Sequence, residues 1–183
     1  MKTLKLFGWM LWIASAMMLG CQKEEDLGNC TDGIKNQDET SVDCGGVCTA
    51  CLEGLQGNWK SFPVAPILST FADSITAEFK VNSTYTVNQW KGGSKVVLTG
   101  TYIQTKSAVG NIYTIKLNQT TPSTLTAEGI FEVSADNNSM KYEVAQTEPS
   151  VAGVTPPTPT GGFGSTSSGA FQQFNVQNYT RVK

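Results

Sequence analysis

Five cysteines carry the most evident chemistry in this chain of 183 residues, and their spacing sets one apart from the rest. Cys21 stands alone at the end of an apolar run and is followed by Gln22-Lys23-Glu24-Glu25-Asp26. Cys30, Cys44, Cys48 and Cys51 share one short segment. An even set in an exported chain argues for two disulfides, and four cysteines allow three pairings among which sequence does not choose. The same thiolates could hold zinc, but their spacing is not a pair of Cys-x-x-Cys knuckles. Oxygen donors sit between the first two of these cysteines: Asp32, Asn36, Asp38, Glu39 and Asp43, with Gly33 permitting a tight turn. Such donors at short spacing suit calcium, although their order is not that of an EF-hand loop. The competing reading has them cap turns around two disulfides. No histidine occurs anywhere. That removes the usual general base, the Ser-His-Asp and Cys-His arrangements and most catalytic zinc sites. Asp73, Glu78, Glu128, Glu132 and Glu143 remain as carboxylates, and nothing marks a pair at glycosidase separation. An enzyme therefore ranks last among the function classes.

The elements that must position these groups begin with residues 1–20. Lys2 and Lys5 open the chain, and Leu6 to Leu19 is almost wholly apolar, with Trp9, Trp12 and Ile13 inside it. This is the pattern of a secretory signal, too short for a comfortable membrane-spanning helix. Met18-Leu19-Gly20-Cys21 resembles the lipobox of bacterial lipoproteins, whose cysteine is acylated and becomes the new N-terminus. Met18 and Leu19 are looser than that family's preference. The resemblance implies lipidation of Cys21 by chains such as palmitate. Several acyl tails, at about 0.8 kcal/mol per buried methylene, make retention effectively permanent. The acidic run after Cys21 resembles the export signal of surface lipoproteins of Bacteroidota. It implies an outer-membrane, lipid-anchored and surface-exposed protein with residues 21–29 as tether, and its plainer reading is a solvated spacer.

Net charge is −2, and removing Lys2 and Lys5 leaves 11 basic against 15 acidic residues, or −4. A basic footprint for nucleic acid is absent from such a chain. Charged residues make up only 15%, which suits a β-rich secreted protein. Residues 30–54 form a knob too small to fold on apolar burial alone, so staples are expected. The knob resembles a recurrent motif of bacterial surface proteins, Cys-x-Asp-Gly-x-x-Asn-x-x-Glu-x-x-x-Asp-Cys-Gly-Gly-x-Cys-x-x-Cys. Every fixed position of that motif is filled here, from Cys30 to Cys51.

From Leu55 the texture changes. Runs rich in Val, Ile, Thr, Tyr and Phe alternate with Gly, Asn, Ser and Pro. Expected strands are Leu55–Ser61, Ser74–Lys80, Thr84–Trp90, Lys95–Gln104, Asn111–Leu117, Thr124–Val133, Met140–Gln146 and Phe174–Val182. Ile75, Ala77 and Phe79 share one face, as do Met140, Tyr142 and Val144, the period of two of half-buried strands. Asn82-Ser83, Lys91-Gly92-Gly93-Ser94 and the stretch from Ala135 to Ser139 read as turns. About eight consecutive antiparallel strands predict an all-β, up-and-down barrel over residues 55–183, which closes its own edges. Such a barrel has room for side chains or one small ligand. Tyr85, Trp90, Tyr102, Phe131, Tyr142 and Phe163 are candidates to line a cavity, against the plainer reading that they are core.

Leu55-Gln56-Gly57-Asn58-Trp59-Lys60 resembles the Gly-x-Trp opening of lipocalins and lipocalin-like bacterial lipoproteins. Phe79-Lys80-Val81-Asn82-Ser83-Thr84-Tyr85-Thr86 is similar to a hairpin common in such domains. The resemblance implies that Gly57 and Trp59 close the barrel bottom, with Arg181 stacked on the tryptophan through a cation–π contact. The sequence departs from the family at residues 148–171. A lipocalin often has a helix before its last strand, whereas this stretch carries Pro156-Pro157-Thr158-Pro159, which forbids one. It reads either as a lid, with Phe163 and Phe171 tucked into the barrel mouth, or as an excursion without a role.

Two function classes follow. The first is a non-enzymatic binding module for a small apolar or amphipathic ligand. The second is a structural or adhesive surface protein that contacts another protein or a glycan through the barrel exterior and the knob.

Overall fold

The computed structural model describes residues 29–36, 38–49 and 51–182. The expected signal segment, Cys21 and the acidic run after it lie outside the described residues. The chain divides into two compact units, residues 1–50 and 51–183.

The second unit is a closed barrel of eight antiparallel strands, each hydrogen-bonded to its neighbour in sequence. The strands are β1 (Gly57–Ser61), β2 (Ser74–Phe79), β3 (Thr84–Lys91), β4 (Ser94–Lys106), β5 (Tyr113–Thr121), β6 (Leu125–Val133), β7 (Ser139–Glu148) and β8 (Gln177–Val182). The all-β, up-and-down barrel that the alternation predicts is the fold observed. β2 shows why: Ile75, Ala77 and Phe79 are buried while Ser74, Thr76 and Glu78 are not. Asn82 ends the β2–β3 turn by accepting from the N–H and hydroxyl of Thr84 at 3.2 and 2.7 Å. β4 is long enough to need a bend. Its register against β5 shifts between Thr99 and Gly100, and a Cβ at Gly100 would strike the backbone of Asn118 and Gln119. A bulge beside a glycine is how a long strand curls into a barrel wall.

The connections sort by end. The short turns after β2, β4 and β6 lie at the end where β1 begins and β8 finishes. The 62–73 loop, the β3–β4 and β5–β6 turns and the long 149–176 segment lie at the other. The inward residues fill the first end. Leu55, Trp59, Phe79, Tyr85, Tyr102, Phe131, Met140, Tyr142 and Tyr179 form one buried cluster there. Phe79 meets Tyr102 edge-on at 5.4 Å, and Tyr113 stacks on Phe131 at 5.0 Å.

Closure rests on one side chain. β1 and β8 share only three register pairs, from Asn58↔Val182 to Lys60↔Thr180. The Arg181 guanidinium lies 4.1 Å over the Trp59 ring and donates to Gln56 O at 2.7 Å, Asn137 O at 2.5 Å and Asn137 Oδ1 at 2.6 Å. Trp59 Nε1 donates to Leu55 O at 2.6 Å. Gly57 makes room: its φ is +113°, and a Cβ there would run into Arg181 Nη1. Gly57, Trp59 and Arg181 therefore meet at the filled end of the barrel.

Two substitutions test this seam. Gly57→Ala combines a disfavoured backbone angle with a blocked guanidinium and should cost about 1–3 kcal/mol in urea unfolding. Arg181→Ala should cost about 2–4 kcal/mol, because three carbonyl acceptors lose a charged donor and Trp59 its cover. Arg181→Lys should recover only part of that loss, since an ammonium cannot serve the fork.

Candidate functional site

At the open end the inward positions change character. Val87, Gln89, Leu98, Leu117 and Val144 point inward by register but are only half-buried, and Val96 is more open still. An aliphatic upper wall therefore stands above a floor of aromatic rings. The 62–73 loop and the 149–176 segment extend that wall. Beside the rim of β7 they border an open cleft of about 410 Å³, lined by Ile67, Leu68, Phe71, Val151, Val154 and Phe171 and by Val144, Ala145, Gln146, Thr166 and Asn175. The volume lies within the range of small-molecule sites, about 300–1,000 Å³. Gln177 ties this end together. Its Oε1 accepts from Ala65 N at 2.6 Å, and its Nε2 donates to Ser61 Oγ.

The long segment does not cross the mouth as a lid. It is strapped to the outer wall by Glu143, whose register partner Ile130 also faces outward and is likewise fully buried. One Glu143 oxygen accepts from Gly164 N at 2.6 Å. The other accepts from Thr166 N at 3.1 Å and Thr166 Oγ1 at 2.5 Å. Asn175 Nδ2 joins Thr166 Oγ1 at 3.0 Å to Val144 O at 3.1 Å. Where prolines exclude a helix, the segment's N–H groups still need acceptors, and a buried carboxylate supplies them.

The expected cavity residues part company. Tyr85, Tyr102, Phe131 and Tyr142 all point into the barrel and are buried. Trp90 does not: it pairs with Ser74 and Lys95 on the outer face, is 39% exposed, and has the Lys95 ammonium 5.3 Å over its ring. Its position in β3 is one step out of phase with Tyr85 and Val87, which sets its side. Phe163 is also outside, with Lys141 Nζ 5.9 Å from its ring; Phe171 alone of the two phenylalanines lines the cleft. Residues that matter and escape sequence reading are Glu143 and Gln177. In Lys141-Tyr142-Glu143-Val144, Glu143 falls on the phase of a solvated face. The one signal was the loop itself, rich in Gly, Ser and Thr and short of partners.

Cys30 and Cys48 form a disulfide, and Cys44 and Cys51 are disulfide-bonded too. The acidic side chains hold backbone. Asp43 accepts from Gly33 N with both oxygens at 3.0 Å, Asp32 from Ile34 N at 2.9 Å and from Asn36 Nδ2 at 2.9 Å. The buried Glu39 accepts from Asn36 N and Asp43 N, both at 3.2 Å, and Asp38 from Val47 N at 3.4 Å. Among the described residues no three His, Cys, Asp or Glu side chains converge on a metal position.

Burial shifts the phenols of the floor. Tyr85 is pushed up to about 12, and Tyr179 further. Tyr142 also lies well above the ordinary value, first through burial and then through the proximity of Tyr179 and Tyr85. No family model, curated protein or solved structure matches this chain.

Two expectations follow. The unfolded chain ionises tyrosine near pH 10 and the folded barrel does so only higher, so stability holds below pH 10 and falls as pH rises through 12. Urea midpoints taken from pH 8 to 12 should show this decline, and a flat profile would contradict it. Glu143→Ala should expose residues 150–171 to limited proteolysis while the far-ultraviolet β signal persists, with a loss of about 1–3 kcal/mol.

Proposed function

We propose that this protein is a cell-envelope lipoprotein, held in the outer membrane by an acylated Cys21, whose lipocalin-like barrel binds a small apolar or amphipathic ligand. The observation that supports this most is the apolar cleft of about 410 Å³ at the open end, continuous with the half-buried Val144 of the inner wall. The aliphatic lining offers burial to a hydrocarbon body, worth roughly 25 cal/mol per Å² removed from water. The acyl anchor keeps the barrel beside a membrane, where such ligands partition.

A second reading has a specific observation behind it. Phe62, Phe71 and Phe174 are 73, 67 and 59% exposed in the loops of the open end. Exposed aromatics of this kind also suit contact with a protein or a glycan.

The neutral fluorophore N-phenyl-1-naphthylamine separates the two. Ligand carriage predicts enhanced emission with the folded protein and a loss of binding of at least about tenfold in Phe71→Asp and Val151→Asp, both surface positions that tolerate the change. Absence of emission from folded protein would remove the first reading. Native mass spectrometry of protein from its own source should show both the acyl mass on Cys21 and a co-purified guest.

A further inference from the structure

Charge is divided unevenly between the two ends of the barrel. At the filled end each connection holds or adjoins a charged residue: Lys80 in the β2–β3 turn, Lys106 at the close of β4 and Asp136 in the β6–β7 turn. At the open end three of the four connections lie in runs without Asp, Glu, Lys or Arg. Those runs are residues 61–72, 117–127 and 149–180, in a chain of which 15% is charged. Only the fourth connection, between β3 and β4, is flanked by charge, at Lys91 and Lys95.

The open-end loops turn aromatic rings outward instead. Phe62, Phe71 and Phe174 are each more than half exposed. Their loops are neighbours. The short turns Pro66–Leu68 and Gln172–Asn175 pack together, and Ser61, next to Phe62, donates its hydroxyl to Asn178 O at 2.5 Å. The charges that border this face are few and mostly engaged. Lys91 Nζ donates to Ser69 O at 2.7 Å and to Asp73 at 2.8 Å, and the Asp73 carboxylate also accepts from Gly92 N at 3.0 Å. Glu148 accepts from Thr126 Oγ1 at 3.4 Å. Lys95 holds its ammonium 5.3 Å over the partly exposed Trp90, and Lys60 is exposed near the end of β1.

Exposed phenylalanines gathered in uncharged loops, edged by a tryptophan and lysines, match the chemistry of a bilayer interface. Apolar rings bury at the boundary of headgroups and acyl chains, tryptophan sits at headgroup level, and lysine stems carry their ammonium past apolar surface to the phosphates. A protein partner fits less well. Protein interfaces take steering and register from charges around the patch, and three of these four connections supply none.

We propose that the open end of the barrel is a lipid-docking surface, which seats Phe62, Phe71 and Phe174 in the headgroup–acyl boundary of a phospholipid bilayer with Trp90, Lys60 and Lys95 at its edge. This goes beyond ligand carriage and depends neither on it nor on the acyl anchor.

The test uses the chain from Gln22 onward, which keeps every described residue and has no acyl group. It is floated with vesicles of phosphatidylcholine, alone or mixed with phosphatidylglycerol. Both should bind it, the anionic vesicles no more than about fivefold more tightly, since one net positive charge borders the face. Phe62→Ser and Phe174→Ser should each weaken the partition at least about fivefold, as the loss of one buried ring does. Both variants should melt with the parent, because the rings are exposed, and should keep the naphthylamine emission, because neither ring lines the cleft. Phe174→Trp should retain binding, and brominated phosphatidylcholine should quench its added fluorescence. Binding to anionic vesicles alone, full binding by both serine variants, or an unquenched Trp variant would each overturn the proposal. So would a parent that binds neither vesicle, which leaves this face to a protein or a glycan. Naphthylamine emission reports on the cleft separately in every case.

Discussion

A barrel made of one chain has a single place where its first strand must find its last, and here that join is short. Only three residue pairs connect β1 to β8. Every other neighbour pair is consecutive along the chain, so loss of this seam would turn a closed surface into a sheet with two open edges. Arg181 compensates for the shortness. It touches the strand that opens the barrel, the ring that plugs it and the β6–β7 turn at Asn137. A planar cation with five donors serves three directions at once, which no neutral side chain can do. Partial burial lowers its pKa, yet a guanidinium stays charged through the whole range in which the protein folds.

Much of the architecture was legible because β-structure writes its period into the chain. The eight strands fall within a few residues of where alternation places them, and Gly, Asn and Pro mark the turns between. The misplaced residues are instructive. Trp90 looks like core by type, but hairpin phase, not hydrophobicity, decides its face, and it lies outside beneath Lys95. Glu143 looks solvated by phase, but its solvent was replaced by a distant segment of chain. Strand phase carries the first outcome; nothing local carries the second. Alternation reports which side a residue takes; it carries no information about what later covers that side.

The two units solve the same problem with different means. The barrel satisfies its backbone through strand pairing and fills its lower half with rings. Among its described residues the small unit buries almost no apolar side chain, and disulfides with carboxylates hold its turns. Asp32, Glu39 and Asp43 each accept backbone N–H groups across turns. The oxygen donors of this unit accept from the chain's own amides. Residue types and spacing name a set of acceptors; the backbone conformation decides which amides reach them.

The clamp on the outer wall also sets how traffic through the open end must run. Val151, Val154 and Phe171 belong to the segment that Glu143 holds, and they form one side of the cleft. That side is fixed in position, so the aperture has no moving door. If the cleft carries a ligand as proposed, its exchange would be governed by how fast it leaves its contacts, with no slower conformational step ahead of it. Such a cleft would stay in equilibrium with whatever surrounds its open end.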